Sequence, residues 1–463
     1  MFQIRIEGYP VQTPPDQRVQ LEKFNPAFDF GQIRGSKTTD FSLPVVPVNQ
    51  KIFGWYENPQ MGFNNQVMKC EKYADGQFIE KGFVALRDAT NFSYNVYFTQ
   101  NLGEIFGPYQ SVLLNLLPLG SEPVPTPSPE ADHLVDKYCW PTIINPSFYG
   151  TNIQEGYSGA INDFDTESLE FNPNARVPML YLRFIFERLA DLCDFTFTGD
   201  FFTHPVLARL IIYNTFSLDD ATELTYANHL PELTIPDLLK ELRSLFNLYL
   251  EFDVSRRILR IDFTEDVMAL PTKINWTAKA SPTHKRTPVL NSRLELDWDL
   301  DSGDELMKII PWQFVKYQSP SSGDLYKIKS KFSSLISDPE TGLAKVQQVG
   351  ITPRFNQLNQ RFAPRLLFWN GTIDNVPNAT NAHESYKLTW HGENNLKEKF
   401  WTRFEAWRAN TFRLSKPVLI NAADLAAWNF RNKVHINGVN YYVDSLTPSL
   451  PIDGPTTLEL WKA

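Results

Sequence analysis

The densest run of candidate ligands is Asp297-x-Asp299-x-Asp301, the spacing with which a calcium-binding loop begins. Such a loop also needs a turn glycine at the position of Ser302 and a bidentate acid at the position of Lys308. The glycine comes one residue late, at Gly303, and the acid is missing, so the calcium pattern fails. Alternation offers another reading. It places Glu295, Asp297, Asp299 and Asp301 on one face of a strand and Leu294, Leu296, Trp298 and Leu300 on the other. A solvated outer face is the ordinary use of such a strand.

The histidines His133, His204, His229, His284, His383, His391 and His435 form no HxH, HExxH or HxxxH pair, so no local metal motif is present. Cys70, Cys139 and Cys193 are odd in number and far apart. That argues against a disulfide framework or a zinc site and for small packed apolar residues. No GxSxG elbow, phosphate-binding Walker loop or GxGxxG occurs. Asp297 or Glu405 beside tryptophans could be nominated as half of a glycosidase pair. Among 53 Asp and Glu such coincidences are expected, so the nomination carries nothing. Phe400, Trp401, Phe404 and Trp407 could stack on sugar rings, but at helical spacing they suit a core or an interface. No catalytic, cofactor-binding or metal-ligating residue is assigned, and the expectation is a non-enzymatic protein without cofactor.

The elements that must position these residues read as mostly β. With 463 residues the chain is expected to hold about three domains. Aromatics make up 14% and prolines number 33, which favours strands, edges and turns over helix interiors. The net charge is −9 and no Lys/Arg run tracks phosphates, so duplex binding is not expected as a main activity. Met1 to Gly8 alternates like a strand and lacks the pattern of a signal peptide, and no apolar stretch reaches bilayer length. Synthesis in the cytosol is the expectation.

Residues 1–120 read as an N-terminal β domain. Phe41–Pro44 and Lys51–Gly54 flank a Pro-rich bend there, and Asn91–Phe98 alternates at period two. Residues 121–175 read as a Pro-rich linker and irregular segment, opened by an extended strap from Gly120 to Glu130. Residues 176–275 read as an α+β domain. Its first helix has Pro178 in the first turn and Leu182, Ile185, Phe186, Leu189, Leu192 and Cys193 as its stripe; Phe195–Gly199 then turns back as a short strand. Its second helix is capped by Thr234, with Pro236 and Asp237 in its first turn and Leu238, Leu239, Leu242, Leu245 and Phe246 facing inward. Strands Leu248–Val254 and Ile258–Phe263 follow. Residues 276–463 read as a β-rich C-terminal domain. There Asn437-Gly438, between Val434–Ile436 and Val439–Val443, is the strongest hairpin signal, because Asn-Gly supplies both positive-φ positions of a type I′ turn.

Three segments resemble tail proteins of phages and prophages of Bacteroidota. They are Thr39–Pro44 with Asn49–Gly54, Leu233–Lys240 with Leu245–Leu248, and Val434–Gly438 with Tyr441–Val443 and Pro455–Leu460. Their shared order along the chain is similar to that of a baseplate-hub or tail-tip protein. The loops Gln318–Ser322 and Gly371–Ala382 match nothing in that family. The resemblance implies β-barrel or sandwich-like tube domains with a small helix-on-strands domain, and a homotrimer below the tail tube. It also implies contacts with tube or distal tail protein above and with spike or fibre below, a place in the virion tail, and a channel through which DNA passes without specific binding. In that setting the acidic strand Glu295, Asp297, Asp299 and Asp301 becomes a candidate lumen wall that repels DNA. The alternatives are a distal tail ring carrying receptor-binding proteins and, from another class, a carbohydrate-binding or carbohydrate-active protein.

Overall fold

Period-two segments become strands where one set of side chains finds a core. In Ser93–Thr99, Tyr94, Val96 and Phe98 are buried, and the strand pairs antiparallel with Phe41–Pro44 on one side and Gln77–Ala89 on the other. The computed structural model describes residues 2–33, 35–62, 67–99, 106–254, 256–320 and 322–463, and statements of number or absence refer to these. The chain is α+β and β-rich, with multiple sheets that include a half-barrel.

The largest sheet has 15 strands among the described residues and joins the two ends of the chain. Val19–Phe24 is the junction: Lys23 and Phe24 pair with Leu446 and Ser445 of Val439–Thr447. From there the sheet runs one way through Lys37–Thr38 and Ser93–Thr99 to Phe2–Ile6, and the other way through Thr456–Lys462 and Phe412–Val418 to Lys285–Pro288. The stretch Lys51–Phe53, read above as part of a β segment, is helical. Pro47 fixes the first turn of Pro47–Phe53, and Gly54 ends it in the left-handed region at φ 62°. Phe53 is thereby stacked on Tyr94, with ring centroids 4.5 Å apart.

The expected helices form, with one boundary moved. The first is Leu182–Cys193, and Pro178 lies before it rather than in its first turn. The backbone is extended there because Met179–Leu180 pairs with Tyr138–Cys139 and the Pro178 carbonyl accepts from Asn214 Nδ2 at 2.8 Å. The second helix is Ile235–Phe246, with Thr234 Oγ1 accepting from the Asp237 N–H at 3.2 Å. Burying Leu238, Leu239, Leu242 and Leu245 contributes about 2 kcal/mol each to the driving force. The following strands Leu248–Asp253 and Ile258–Phe263 pair antiparallel, and Thr196–Thr198 joins the latter in parallel. Ser255, in their turn, lies outside the described residues.

Two stretches expected as loops carry strands. Gly371–Ala382 belongs largely to a hairpin in which Arg365–Ile373 pairs with Val376–Thr380. Its turn, Asp374-Asn375, takes φ of 50° and 63°, the same device as an Asn-Gly turn with less obvious residues. Tyr317–Gln318 pairs with Arg293–Trp298, while Ser321 lies outside the described residues. The Pro-rich strap runs extended along the surface; Ser121–Pro123 pairs with Glu223–Thr225.

One apolar cluster reaches from Ala27 and Phe30 through both long helices to Trp407 and Trp461. Packing is therefore continuous across positions 120, 175 and 275, where the sequence suggests boundaries. Two smaller clusters fill the sheet at the ends of the chain, one around Ile4, Leu43 and Val96 and one around Val434, Val443 and Leu460.

The closing hairpin pairs Ile436 with Val439, and Asn437 and Gly438 have φ of 50° and 85°. A Cβ on Gly438 would meet nothing within 4 Å, so substitution there costs backbone strain alone. Gly438→Val is expected to lower stability by about 1 kcal/mol or more, read by denaturant unfolding. His229 gives a second prediction. It is fully buried, its Nδ1 lies 3.1 Å from Asn214 Oδ1, and burial pushes its pKa down to about 3. The unfolded chain binds a proton below about pH 6.5 that the folded chain refuses until near pH 3. Stability from this residue is thus full above pH 6.5 and falls with acidification, by about 1.4 kcal/mol per unit between pH 6 and 4. Unfolding of His229→Gln beside the parent across that range should show the difference in slope.

Candidate functional site

The acidic strand is the middle of three, Arg293–Trp298 lying between Tyr317–Gln318 and Leu325–Ser330. Leu294, Leu296 and Trp298 are buried as alternation requires. The opposite face departs from the expected open row of carboxylates. Glu295 is only 5% exposed; Lys316 Nζ donates to it at 2.8 Å, and Lys327 stands 3.9 Å away. The Lys316 ammonium holds the Glu295 carboxyl below the usual range. Asp299 is paired with Lys329. Two lysines thus stand against Glu295 and one against Asp299.

The alternation ends at Trp298, and Asp301 turns inward instead of continuing the row. The cause is Arg365, fully buried at the start of the strand Arg365–Ile373. Its guanidinium lies 3.0 Å from Asp304 Oδ2 and 3.3 Å from Asp301 Oδ2. Asp301 also accepts from the backbone N–H groups of Gly303 and Ala363 and from Gln348 Nε2, each at 2.9 Å. Asp304 Oδ1 accepts from the N–H groups of Leu306 and Gln347 at 3.1 Å. Every polar direction of these two acids is directed at protein. Among the described residues no group of three or more His, Cys, Asp or Glu is placed to hold a metal ion.

This ionic knot sets the base of a segment that sequence reasoning passed over. Asp304 caps the short helix Glu305–Lys308, and the chain then displays Ile309, Ile310, Trp312 and Val315, which are 86%, 48%, 62% and 41% exposed. The segment is held, not loose. Phe314 points inward against Trp298 at 5.3 Å, and Trp298 Nε1 donates to the Phe314 carbonyl at 2.9 Å. The Trp390 backbone N–H donates to the Gln313 carbonyl at 3.1 Å, and Trp312 stacks on His391 at 5.1 Å. The available signal was Ile309-Ile310-Pro311-Trp312, a bulky apolar run with no strand or helix period to place it inside.

The other nominated residues are structural. Phe400, Trp401, Phe404 and Trp407 are buried, Trp401 completely, so they offer no platform for a sugar. Burial pushes the Glu405 carboxyl up, and bonds from Ser319, Lys397 and Tyr317 outweigh that and bring it below its usual range. Burial pushes the Cys70 thiol up to about 12 and Cys193 up to about 11, and raises Cys139 as well, which leaves none as a ready nucleophile. A cleft of about 700 Å³ runs between Lys23, Phe78, Arg260 and Trp428. Its acids are engaged: Glu251 accepts from Asn429 at 2.7 Å and Arg431 at 3.0 Å, and Glu80 from Ser36 at 2.6 Å and Lys72 at 2.8 Å. What the surface presents is the exposed apolar segment Ile309, Ile310, Trp312 and Val315.

Removing the cation from the knot would leave two inward carboxylates facing each other. Arg365→Leu is expected to cost about 3–5 kcal/mol, read by denaturant unfolding. Arg365→Lys, which keeps charge but not the fork, should recover part of it.

No family model and no curated protein matches the chain. Among solved structures it is similar to a prophage MuSo2 43 kDa tail protein from Shewanella oneidensis, at 9% identity and TM-score 0.41, over 99% of this chain and 97% of that one. A tail protein from Neisseria meningitidis MC58 gives 9% identity and TM-score 0.41, over 100% and 95%. Prophage tail protein gp18 from Listeria monocytogenes EGD-e gives 8% identity and TM-score 0.39, over 99% and 94%.

Proposed function

We propose that the chain is a structural component of a phage-type tail tip. In this reading it is a baseplate hub that works as a homotrimeric ring between the tail tube and a spike or fibre, and encloses a channel for DNA. The observation that carries the reading is the rigid apolar segment Ile309–Val315. Large side chains held out into water by buried anchors mark a surface that another protein covers. The covering partner in this reading is a second copy of the chain. The ordered resemblance of three segments to hub proteins supports the same assignment. Two of those segments, Phe41–Pro44 and the closing strands, lie in the one sheet that joins both ends of the chain.

The DNA channel belongs to this reading; a wall built of Glu295, Asp297, Asp299 and Asp301 does not. Lys316 and Lys327 stand against Glu295 and Lys329 against Asp299, while Asp301 turns inward to Arg365. Such a patch has little field to project across a Debye length of about 8 Å.

Assembly is tested on Ile309→Asp/Trp312→Glu beside the parent. The parent should form rings in negative stain and trimers in assembled particles. The double variant should melt like the parent yet associate about thirtyfold more weakly, as loss of a central apolar anchor does. A strict monomer in the assembled particle, or a variant that assembles as well as the parent, would sink the proposal.

A further inference from the structure

The sequence contains two Asn-Gly pairs, Asn437-Gly438 and Asn370-Gly371, and the fold treats them differently. Glycine after asparagine leaves the following amide nitrogen unhindered, so that it can attack the side-chain amide carbon. At the first pair that nitrogen has a base beside it. The Gly438 N–H donates to His435 Nε2 at 3.2 Å, across the two-residue turn. An N–H can only donate, so Nε2 is the acceptor, and in the neutral ring the hydrogen sits on Nδ1. Nδ1 lies 2.9 Å from Asn440 Oδ1, which holds that tautomer. Asn437 and Gly438 are exposed, no atom lies within 4 Å of a Cβ position on Gly438, and the Asn437 N–H donates to Thr277 Oγ1 at 3.0 Å.

At the second pair the carboxamide is tied at both ends. Asn370 Nδ2 donates to Asn378 Oδ1 at 2.9 Å and Thr380 Oγ1 at 3.0 Å, while Oδ1 is 2.8 Å from His383 Nδ1. Asn370 sits at a bulge of the strand Arg365–Ile373, between the paired residues Trp369 and Gly371.

We infer that Asn437 is a self-modification site, at which His435 acts as base and Asn440 as its positioning residue. The Gly438 nitrogen bonds to Asn437 Cγ and passes its proton to His435 Nε2. The bond from Cγ to Nδ2 then breaks, and Nδ2 leaves as ammonia carrying that proton. Water opens the resulting succinimide at either carbonyl, giving aspartate or isoaspartate. No oxidant or reductant is involved. The isoaspartate product adds a methylene to the backbone of a two-residue turn, which disrupts the hairpin closing the largest sheet.

The test incubates the folded full-length chain at neutral pH and follows both Asn-Gly peptides by mass and chromatography. Asn437 should convert to a mixture of aspartate and isoaspartate while Asn370 stays intact. His435→Phe should slow conversion by about tenfold or more, the loss expected when a positioned base is removed. Asn440→Val, which keeps the ring but frees its tautomer, should also slow it and serves if the first variant does not fold. In urea the two pairs should react alike, and the effects of both variants should vanish. An unreactive Asn437, an Asn370 that keeps pace with it in the folded chain, or variants as fast as the parent would overturn the inference.

Discussion

One buried cation ties the chain together. Arg243, on the inner side of the helix Ile235–Phe246, is 1% exposed. Its guanidinium donates to the carbonyls of Pro26 and Gln32 and lies 4.7 Å from the Phe30 ring centre. Those residues belong to the segment that leaves the junction strand Val19–Phe24, so the middle of the chain is fastened to the start. Burial pushes the Arg243 pKa down to about 10, still far above neutrality, so the charge persists and the carbonyls must stay with it. Around this fastening Phe28 stacks on Trp407 at 4.9 Å, and Trp407 meets Trp461 edge-on at 5.7 Å. Segments near the start, the helix Thr402–Asn410 and the last strand share one aromatic cluster. Loss of the Arg243 contacts would therefore loosen the largest sheet as well as one helix.

Another buried cation, Arg365, works outward. By drawing Asp301 and Asp304 inside it ends the strand at Trp298, and it fixes where the next residues emerge. An isolated ionic knot is a poor source of stability, since desolvation offsets much of the attraction. It is a good source of geometry, because few arrangements satisfy two carboxylates and a guanidinium at once. The apolar residues Ile309 to Val315 inherit that geometry.

How much of this was legible depends on whether a signal was local. Helix Ile235–Phe246 was readable because its cap, Thr234, and its stripe lie within one window. The turn at Asn437-Gly438 was readable because two residues specify it. Pro47–Phe53 was misread because its neighbours look like strands and a seven-residue helix shows barely two turns of period. Gly371–Ala382 passed for a loop because Asp374-Asn375 is a weaker turn signal than Asn-Gly, although the backbone does the same thing there. The inward turn of Asp301 was not legible at all. Alternation predicts a face, and only the distant Arg365 could override it.

The same distinction explains why the candidate surface stayed hidden. A run such as Ile309-Ile310-Pro311-Trp312 reads as core material, and most such runs are core. It lies outside because Phe314 takes the inner position against Trp298 and leaves its neighbours no room. Holding those side chains out is unfavourable for the free chain in water. Their rigidity offsets part of that on association, since a segment already ordered loses little further entropy when a partner covers it. A loosely held loop with the same residues would bind more weakly and aggregate more readily. The anchors beneath the segment, Trp298, Phe314 and Trp390, are thus as much part of the surface as the residues that would touch another chain.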